Sequence, residues 1–130
     1  MYCETTHNVK VEVVPQFLDS ESRPQDDHYI WAYRITITNQ GTTSIQLKNR
    51  YWQIVDARGQ FEVIEGPGVV GEQPVLEPGE SYTYESGTPL KTPSGIMMGH
   101  YEMVNAQGVG FEANVPAFSL DSPYELADLH

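Results

Sequence analysis

Residues 28–39, HYIWAYRITITN, place Tyr29, Trp31, Tyr33, Ile35 and Ile37 on one side of an extended chain and His28, Ile30, Ala32, Arg34, Thr36 and Thr38 on the other. Successive side chains of a strand point to opposite faces of a sheet, so a period of two sorts these residues only if the segment is β. A row of three aromatics and two isoleucines requires cover, which predicts a strand at the centre of a sheet with that row inward. The same period recurs in HNVKVEVVPQFL, where Val9, Val11 and Val13 oppose Lys10 and Glu12, and Pro15 puts the end of that strand at a sheet edge or bulge. In IQLKNRYWQIVD, Ile45 and Leu47 and then Trp52 and Ile54 lie two apart on either side of a predicted bend. FEVIE, SYTYESG, IMMGHYEMVNA and GFEANVPAF complete the series, separated by turn-forming NQGTTS, DARGQ, TPLKTPSG and NAQG. No run of a dozen residues keeps a helical period free of Gly, Pro or β-branched interruption. Seven to eight short strands with turns about every ten residues predict an all-β, antiparallel, two-sheet β-sandwich.

Length and charge narrow the class further. A chain of 130 residues is one domain of ordinary size, 1–130, able to bury a core without metal or disulfide staples. Seven Lys and Arg against eighteen Asp and Glu give a net charge of −11, which repels nucleic acid polymers and anionic membrane surfaces. No apolar run approaches the ~20 residues that a membrane helix needs. Cys3 is the single cysteine, in an N-terminal segment expected to fray, and that segment has neither the basic nor the apolar part of an export signal, so a cytoplasmic location is expected. Residues 19–27, DSESRPQDD, hold no apolar side chain and read as an exposed mobile loop, while 121–130 reads as a tail with at most a helical turn.

Gly66, Gly68 and Gly71 spell G-x-G-x-x-G in VIEGPGVVGEQPVLEPGESYTY. A dinucleotide fingerprint sets such glycines at the start of a helix, where amides meet a pyrophosphate. Here EQPVLEPGE follows, with two prolines, and Glu72 stands where a P-loop needs lysine. A diphosphate would also face Glu65, Glu72, Glu77 and Glu80, with Arg50, Arg58 and Lys91 as the cations that can fold back to it. The stronger reading is a glycine-rich connection between strands, with pyrophosphate or nucleotide binding at Gly66–Gly71 as the alternative. Pro78-Gly79 fits the centre of a type II turn, and Tyr84 in the next strand is a candidate corner tyrosine that bonds back to the backbone.

Chemistry-bearing side chains are scattered. His7, His28, His100 and His130 are far apart, Cys3 has no paired ligand, and the acid groups Glu21-Asp26-Asp27 and Glu125-Asp128 lack a calcium-loop spacing, so neither a metal site nor a cofactor is assigned. There is no G-x-S-x-G elbow. His100 and Glu102, on alternate positions of one strand, are the nearest approach to a base and its orienter, and a surface role outweighs it. GIMMGHYEMV carries methionine on both faces although a two-layer sandwich buries one. Either Ile96, Met98, His100, Glu102 and Val104 face outward, or Met97, Gly99, Tyr101, Met103 and Asn105 do. The set holding His and Glu is expected outside. Ile96, Met98, His100 and Glu102 therefore form the candidate partner surface, for an unidentified protein or for a homodimer.

YWQIVDARGQ, VIEGPGVVGEQPVLEPGESYTYESG, LKTPSGIMMGHYEM and FEANVPAFSL span residues 51–120, and HYIWAYRITITN extends the series. In this ordered set the chain resembles the ApaG family of small bacterial proteins, a domain found also in some F-box proteins and in a polymerase-interacting protein. The resemblance implies an immunoglobulin-like or fibronectin type III-like β-sandwich without an established catalytic activity, in a family associated with cobalt resistance and magnesium efflux. With the residues it leads us to expect a non-enzymatic binding or regulatory module that acts through protein–protein interaction.

Overall fold

The computed structural model of the chain describes residues 1–124. Nine strands run through them: β1 (Tyr2–Thr6), β2 (Val9–Phe17), β3 (Tyr29–Asn39), β4 (Ile45–Asp56), β5 (Phe61–Pro67), β6 (Val75–Leu76), β7 (Ser81–Leu90), β8 (Gly95–Asn105) and β9 (Gly110–Leu120). All pairings are antiparallel. One sheet has the order β1-β2-β3-β7 and the other β5-β4-β8-β9, with the short β6 also on β4. If β2, β3, β4, β5, β7, β8 and β9 are lettered A, B, C, C′, E, F and G, the sheets read A-B-E and C′-C-F-G, the fibronectin type III arrangement, with β1 added outside A.

The predicted rows take the predicted sides. Tyr29, Trp31, Tyr33, Ile35 and Ile37 of β3 are all buried, as are Val9, Val11 and Val13 of β2 and Met97, Tyr101 and Met103 of β8. Two single-residue register shifts preserve this burial. Lys48 is the extra residue of β4 between Leu47 and Asn49. β9 has one more residue than β8 between the pairs Met97↔Phe118 and Gly99↔Val115. A one-residue insertion exchanges the faces of a strand. Ile45 and Leu47 thus point inward from odd positions and Trp52 and Ile54 from even ones, and β9 changes from Ala113 and Val115 to Phe118 and Leu120. Pro15 sits beyond the stretch of β2 that β1 covers, where no ladder bond is lost on that side.

The two sheets meet in an aromatic centre. Tyr33 lies 5.6 Å from Trp52 and 6.0 Å from Phe118, centroid to centroid, in tilted or edge-on contacts, the geometry that ring quadrupoles favour. Trp31 Nε1 donates to the Asp121 carbonyl at 2.8 Å. Buried Asn39 donates from Nδ2 to the carbonyls of Thr43 and Leu76, both at 2.9 Å, and accepts from the Gly41 amide at 2.9 Å. Tyr84 does not turn back to the backbone as a corner tyrosine; its hydroxyl pairs with that of Tyr101 at 2.5 Å. The two buried hydroxyls thus partner each other across the core.

Two further expectations are revised. The strand count is nine against the expected seven to eight, because β1 and β6 are not announced by periodicity. Cys3 is not in a frayed end: it pairs with Glu12 within β1 and is exposed. The hairpin closes through His7 and Asn8 at φ 49° and 64°, as a two-residue turn that matches strand twist. Residues 19–27 form two 3-10 turns, Asp19–Glu21 and Pro24–Asp26, pinned by Ser22, whose hydroxyl donates to Leu18 O at 2.8 Å and accepts from Ile30 N at 2.9 Å.

Burial holds the phenols of Tyr33, Tyr84 and Tyr101 above the ordinary tyrosine value of 10.0. The unfolded chain, with unraised phenols, loses protons first, so this contribution to stability is whole below about pH 10 and is lost as pH rises beyond it. Alkaline titration followed by ultraviolet absorbance and circular dichroism is expected to show these three phenols ionising together with unfolding. Tyr101→Phe is expected to lower stability by about 1–2 kcal/mol at pH 7, by leaving the Tyr84 hydroxyl unpaired.

Candidate functional site

The glycine segment is the excursion between β5 and β6, both of which line the same edge of β4. It leaves that edge at the Lys48 bulge, where Gly68 N donates to Lys48 O at 2.9 Å. Val69 then enters the core with no exposed surface. Val69 N donates to Glu72 O at 2.8 Å and Glu72 N returns to Val69 O at 2.9 Å, closing a hairpin whose central residues Val70 and Gly71 both have positive φ, 49° and 80°. Gly68 is itself at φ 62°, and a Cβ there would lie 2.2 Å from the Glu72 carbonyl oxygen. Gly66 lies beneath Arg50, whose guanidinium would be 3.0 Å from an added Cβ. One Arg50 nitrogen donates to the carbonyls of Pro67 and Gly68 at 3.0 and 3.1 Å.

Each glycine thus answers a separate steric demand of a clamped connection. Of the three cations considered for a phosphate, only Arg50 reaches the glycines. Lys91 lines a groove beside Phe61, and Arg58 occupies the β4–β5 turn at the far end of the hairpin. The amides of Gly68, Val69 and Glu72 are already donated to backbone carbonyls, and a short strand follows, not a helix. Downstream, Glu80 N donates to Glu77 O at 2.9 Å with Gly79 at φ 85°, the type II turn expected of Pro78-Gly79.

His100 and Glu102 do not form a dyad. His100 stacks on Tyr51, with centroids 4.9 Å apart, and its Nε2 is 3.3 Å from Glu112 Oε2 on β9. Glu102 accepts from Asn49 Nδ2 at 2.9 Å. Among the described residues, no group of three His, Cys, Asp or Glu side chains is placed to hold a metal ion, and no helix is long and apolar enough to cross a membrane. His130, Glu125 and Asp128 lie outside the described residues.

Ile96, Met98, His100 and Glu102 share the outer face of the β5-β4-β8-β9 sheet, opposite the buried Met97, Tyr101 and Met103. Register joins them to residues that sequence reasoning did not combine with them. Val55 pairs with Phe61 on one side and Ile96 on the other, and Gln53 pairs with Val63 and Met98. Two adjacent rows, Phe61-Val55-Ile96 and Val63-Gln53-Met98, therefore make an apolar band. Phe61 is 66% exposed, and Val63 and Ile96 are 46% exposed each. The following row, Glu65-Tyr51-His100-Asn114, is polar. The DARGQ turn held the missing signal, because a tight hairpin there sets Phe61 opposite Val55.

The outer face of the other sheet contrasts with this one. Lys10 and Glu12 pair at 3.4 Å, Arg34 and Glu85 at 2.9 Å, Thr36 and Thr83 at 3.0 Å, and Thr38 and Ser81 at 2.8 Å. Polar neighbours occupy one another there, and Val14 is its single large exposed apolar side chain.

A fibronectin type III-like sandwich with one apolar outer band and an arginine-clamped glycine connection defines a small all-β domain with two unlike faces. The chain belongs to the ApaG domain family, whose profile matches residues 19–105. It is 55% identical to Protein ApaG of Paramagnetospirillum magneticum over 96% of both chains, and 52% identical to Protein ApaG of Parvibaculum lavamentivorans over the whole of both. The crystal structure of an ApaA protein from Bordetella pertussis has a TM-score of 0.86 at 40% identity, covering 88% of this chain and 94% of that one. The C-terminal domain of wzt shares the fold alone, with a TM-score of 0.56 at 10% identity, covering 96% of this chain and 79% of that one.

The connection generates its own test. A β-branched residue at positive φ is strained by about 1–2 kcal/mol, and two-residue turns of this kind favour Asn-Gly. Val70→Asn is expected to raise the thermal midpoint by a few degrees. Gly68→Ala is expected to lower stability by at least about 2 kcal/mol, because strain and a carbonyl clash add. Thermal and urea unfolding check both.

Proposed function

We propose that the protein is a non-enzymatic cytoplasmic module that binds another protein through the outer face of the β5-β4-β8-β9 sheet, centred on Phe61, Val63, Ile96 and Met98. The contrast between the two sheet faces carries this reading: one is closed by internal polar pairs, and the other exposes contiguous large apolar side chains bordered by His100, Glu65 and Glu102. An apolar centre with a polar rim is the usual anatomy of a protein-binding surface. The flat band supplies adaptable contacts through Met98 and a rigid anchor through Phe61. The names of the relatives and of the similar solved structures given above carry no enzyme activity, in keeping with a binding role. On this reading, any link of the family to cobalt resistance or magnesium efflux is exerted through the partner and not by an ion held in this domain. The pyrophosphate alternative has less support, since of Arg50, Arg58 and Lys91 Arg50 alone reaches the loop and one of its nitrogens is committed to two carbonyls.

A photo-reactive amino acid placed at position 96, and separately at position 36 on the polar face, tests the proposal in native extract. A discrete crosslinked species from position 96 that is absent from position 36, and that disappears on adding Phe61→Lys, is the expected result. Equal labelling from both faces would sink it.

A further inference from the structure

β5 is the edge of its sheet, and its chemistry is not that of a protected edge. Natural edges are blunted by Lys, Pro or bulges. β7, the edge strand of the other sheet on this flank, follows the rule, with Ser81, Thr83, Glu85 and Pro89 exposed. β5 reads FEVIEGP, with no proline before its last residue and no basic residue. Its inner side is uncovered as well. Ile64, which points toward the inter-sheet side, is 37% exposed and Glu62 is exposed beside it.

The orientation of the open backbone groups follows from the hairpin. Asp56 N donates to Gln60 O at 2.9 Å, and Gly68 N donates to Lys48 O at 2.9 Å. Bonded and non-bonded rungs alternate in an antiparallel pair, which makes Ile54↔Glu62, Trp52↔Ile64 and Arg50↔Gly66 the bonded rungs. The N–H and C=O of Phe61, Val63 and Glu65 therefore point away from β4 toward the open edge. Beside that edge, between β5 and the end of β7, runs a groove of about 440 Å³ with Ile54, Phe61, Pro89 and Leu90 as its apolar lining. Asp56 and Glu62 also line it, against Lys91 and His28.

We propose that this edge receives an extended segment of a partner protein as an added strand, and that the segment alternates apolar with basic residues. The proposal rests on the protein-binding reading above and names the partner's chemistry. A strand paired with β5 lays alternate side chains on the two sides of the sheet. Those opposite Gln60 and Glu62 enter the groove, where Ile54 and Leu90 call for aliphatic groups. Those opposite Phe61, Val63 and Glu65 lie on the outer face. There, basic side chains rest their stems on Phe61 and Val63 and bring their charge to Glu65 and Glu102. Both charged residues of β5 are glutamates and the chain carries −11, so the field favours a cationic strand and opposes a second copy of this chain.

The probe is a fluorescein-labelled ten-residue peptide alternating valine with lysine, beside one alternating valine with glutamate. The first is expected to bind by fluorescence anisotropy, more weakly as salt rises, and the second is not. Val63→Pro removes an outward amide and no bond to β4, because Val63 lies in a non-bonded rung. It is expected to weaken the peptide roughly tenfold or more with the thermal midpoint kept. Glu65→Lys, which leaves the backbone unchanged, is expected to weaken it too. On binding, the amides of Phe61, Val63 and Glu65 should gain protection from hydrogen exchange while those of Glu62 and Ile64 stay as they were. Equal binding of both peptides overturns the proposal, as does no binding of either. A concentration-dependent dimer that Val63→Pro abolishes also overturns it, by assigning the edge to a second copy. Binding that ignores Val63→Pro but is lost in Ile96→Lys removes the edge and leaves the sheet-face reading standing. Indifference to both variants removes the two together.

Discussion

One face of each sheet is dry and the other is wet, and everything else in this domain answers to that constraint. A strand with period two cannot absorb a single extra residue without turning its apolar row to solvent, and β4 and β9 each have one. Lys48 and the extra residue between Val115 and Phe118 are therefore corrections of phase. Between them they keep Leu47 with Trp52, and Val115 with Phe118, on the same side of the sheet. The Lys48 bulge also fixes where the glycine connection begins, because its carbonyl receives the Gly68 amide. From there the chain turns inward, Val69 fills the flank between the sheets, and Arg50 closes over the exit. A motif that resembles a phosphate loop in spelling is thus the continuation of a strand irregularity.

Much of the fold is legible in the chain before any coordinates are known. β3 declares itself through five alternating large residues, and β8 through methionines on both faces, of which only Met97 and Met103 can be inside once Tyr101 is. The bend in β4 is visible because Ile45 and Leu47 fall out of step with Trp52 and Ile54. Other features are silent for physical reasons. β1 is five residues with no apolar alternation, and its pairing depends on two left-handed residues, His7 and Asn8, that are not glycine. Tyr84 and Tyr101 meet across the core, and sequence separation says nothing about which hydroxyls converge between two sheets. The candidate surface was half visible. Its β8 members follow from the period, whereas Phe61 and Val63 join them only when the β4–β5 register is known, since a one-residue change there would put both on the other side.

Charge and hydrophobicity divide the labour between the faces. The β1-β2-β3-β7 sheet neutralises its exterior by short polar pairs within and between strands, which contribute little stability individually but leave few groups seeking a partner. The opposite exterior has no such internal closure along Phe61, Val55 and Ile96. Acidic side chains border it and dominate the whole molecule, so a partner meets an apolar strip within a negative field. That combination admits some surfaces and turns away others, notably anionic polymers.

The flank opposite the open edge has a consequence of its own. Tyr2 accepts the Ser119 amide and Glu4 accepts from Asn114, each at 3.3 Å, so the first strand closes the sandwich against the last, and both run on the far side from β5. A polypeptide joined ahead of the first strand would emerge there, behind the molecule as seen from its apolar strip. The topology therefore lets a domain fused ahead of it hang like a wire from the back of a plug, with the contact side unobstructed.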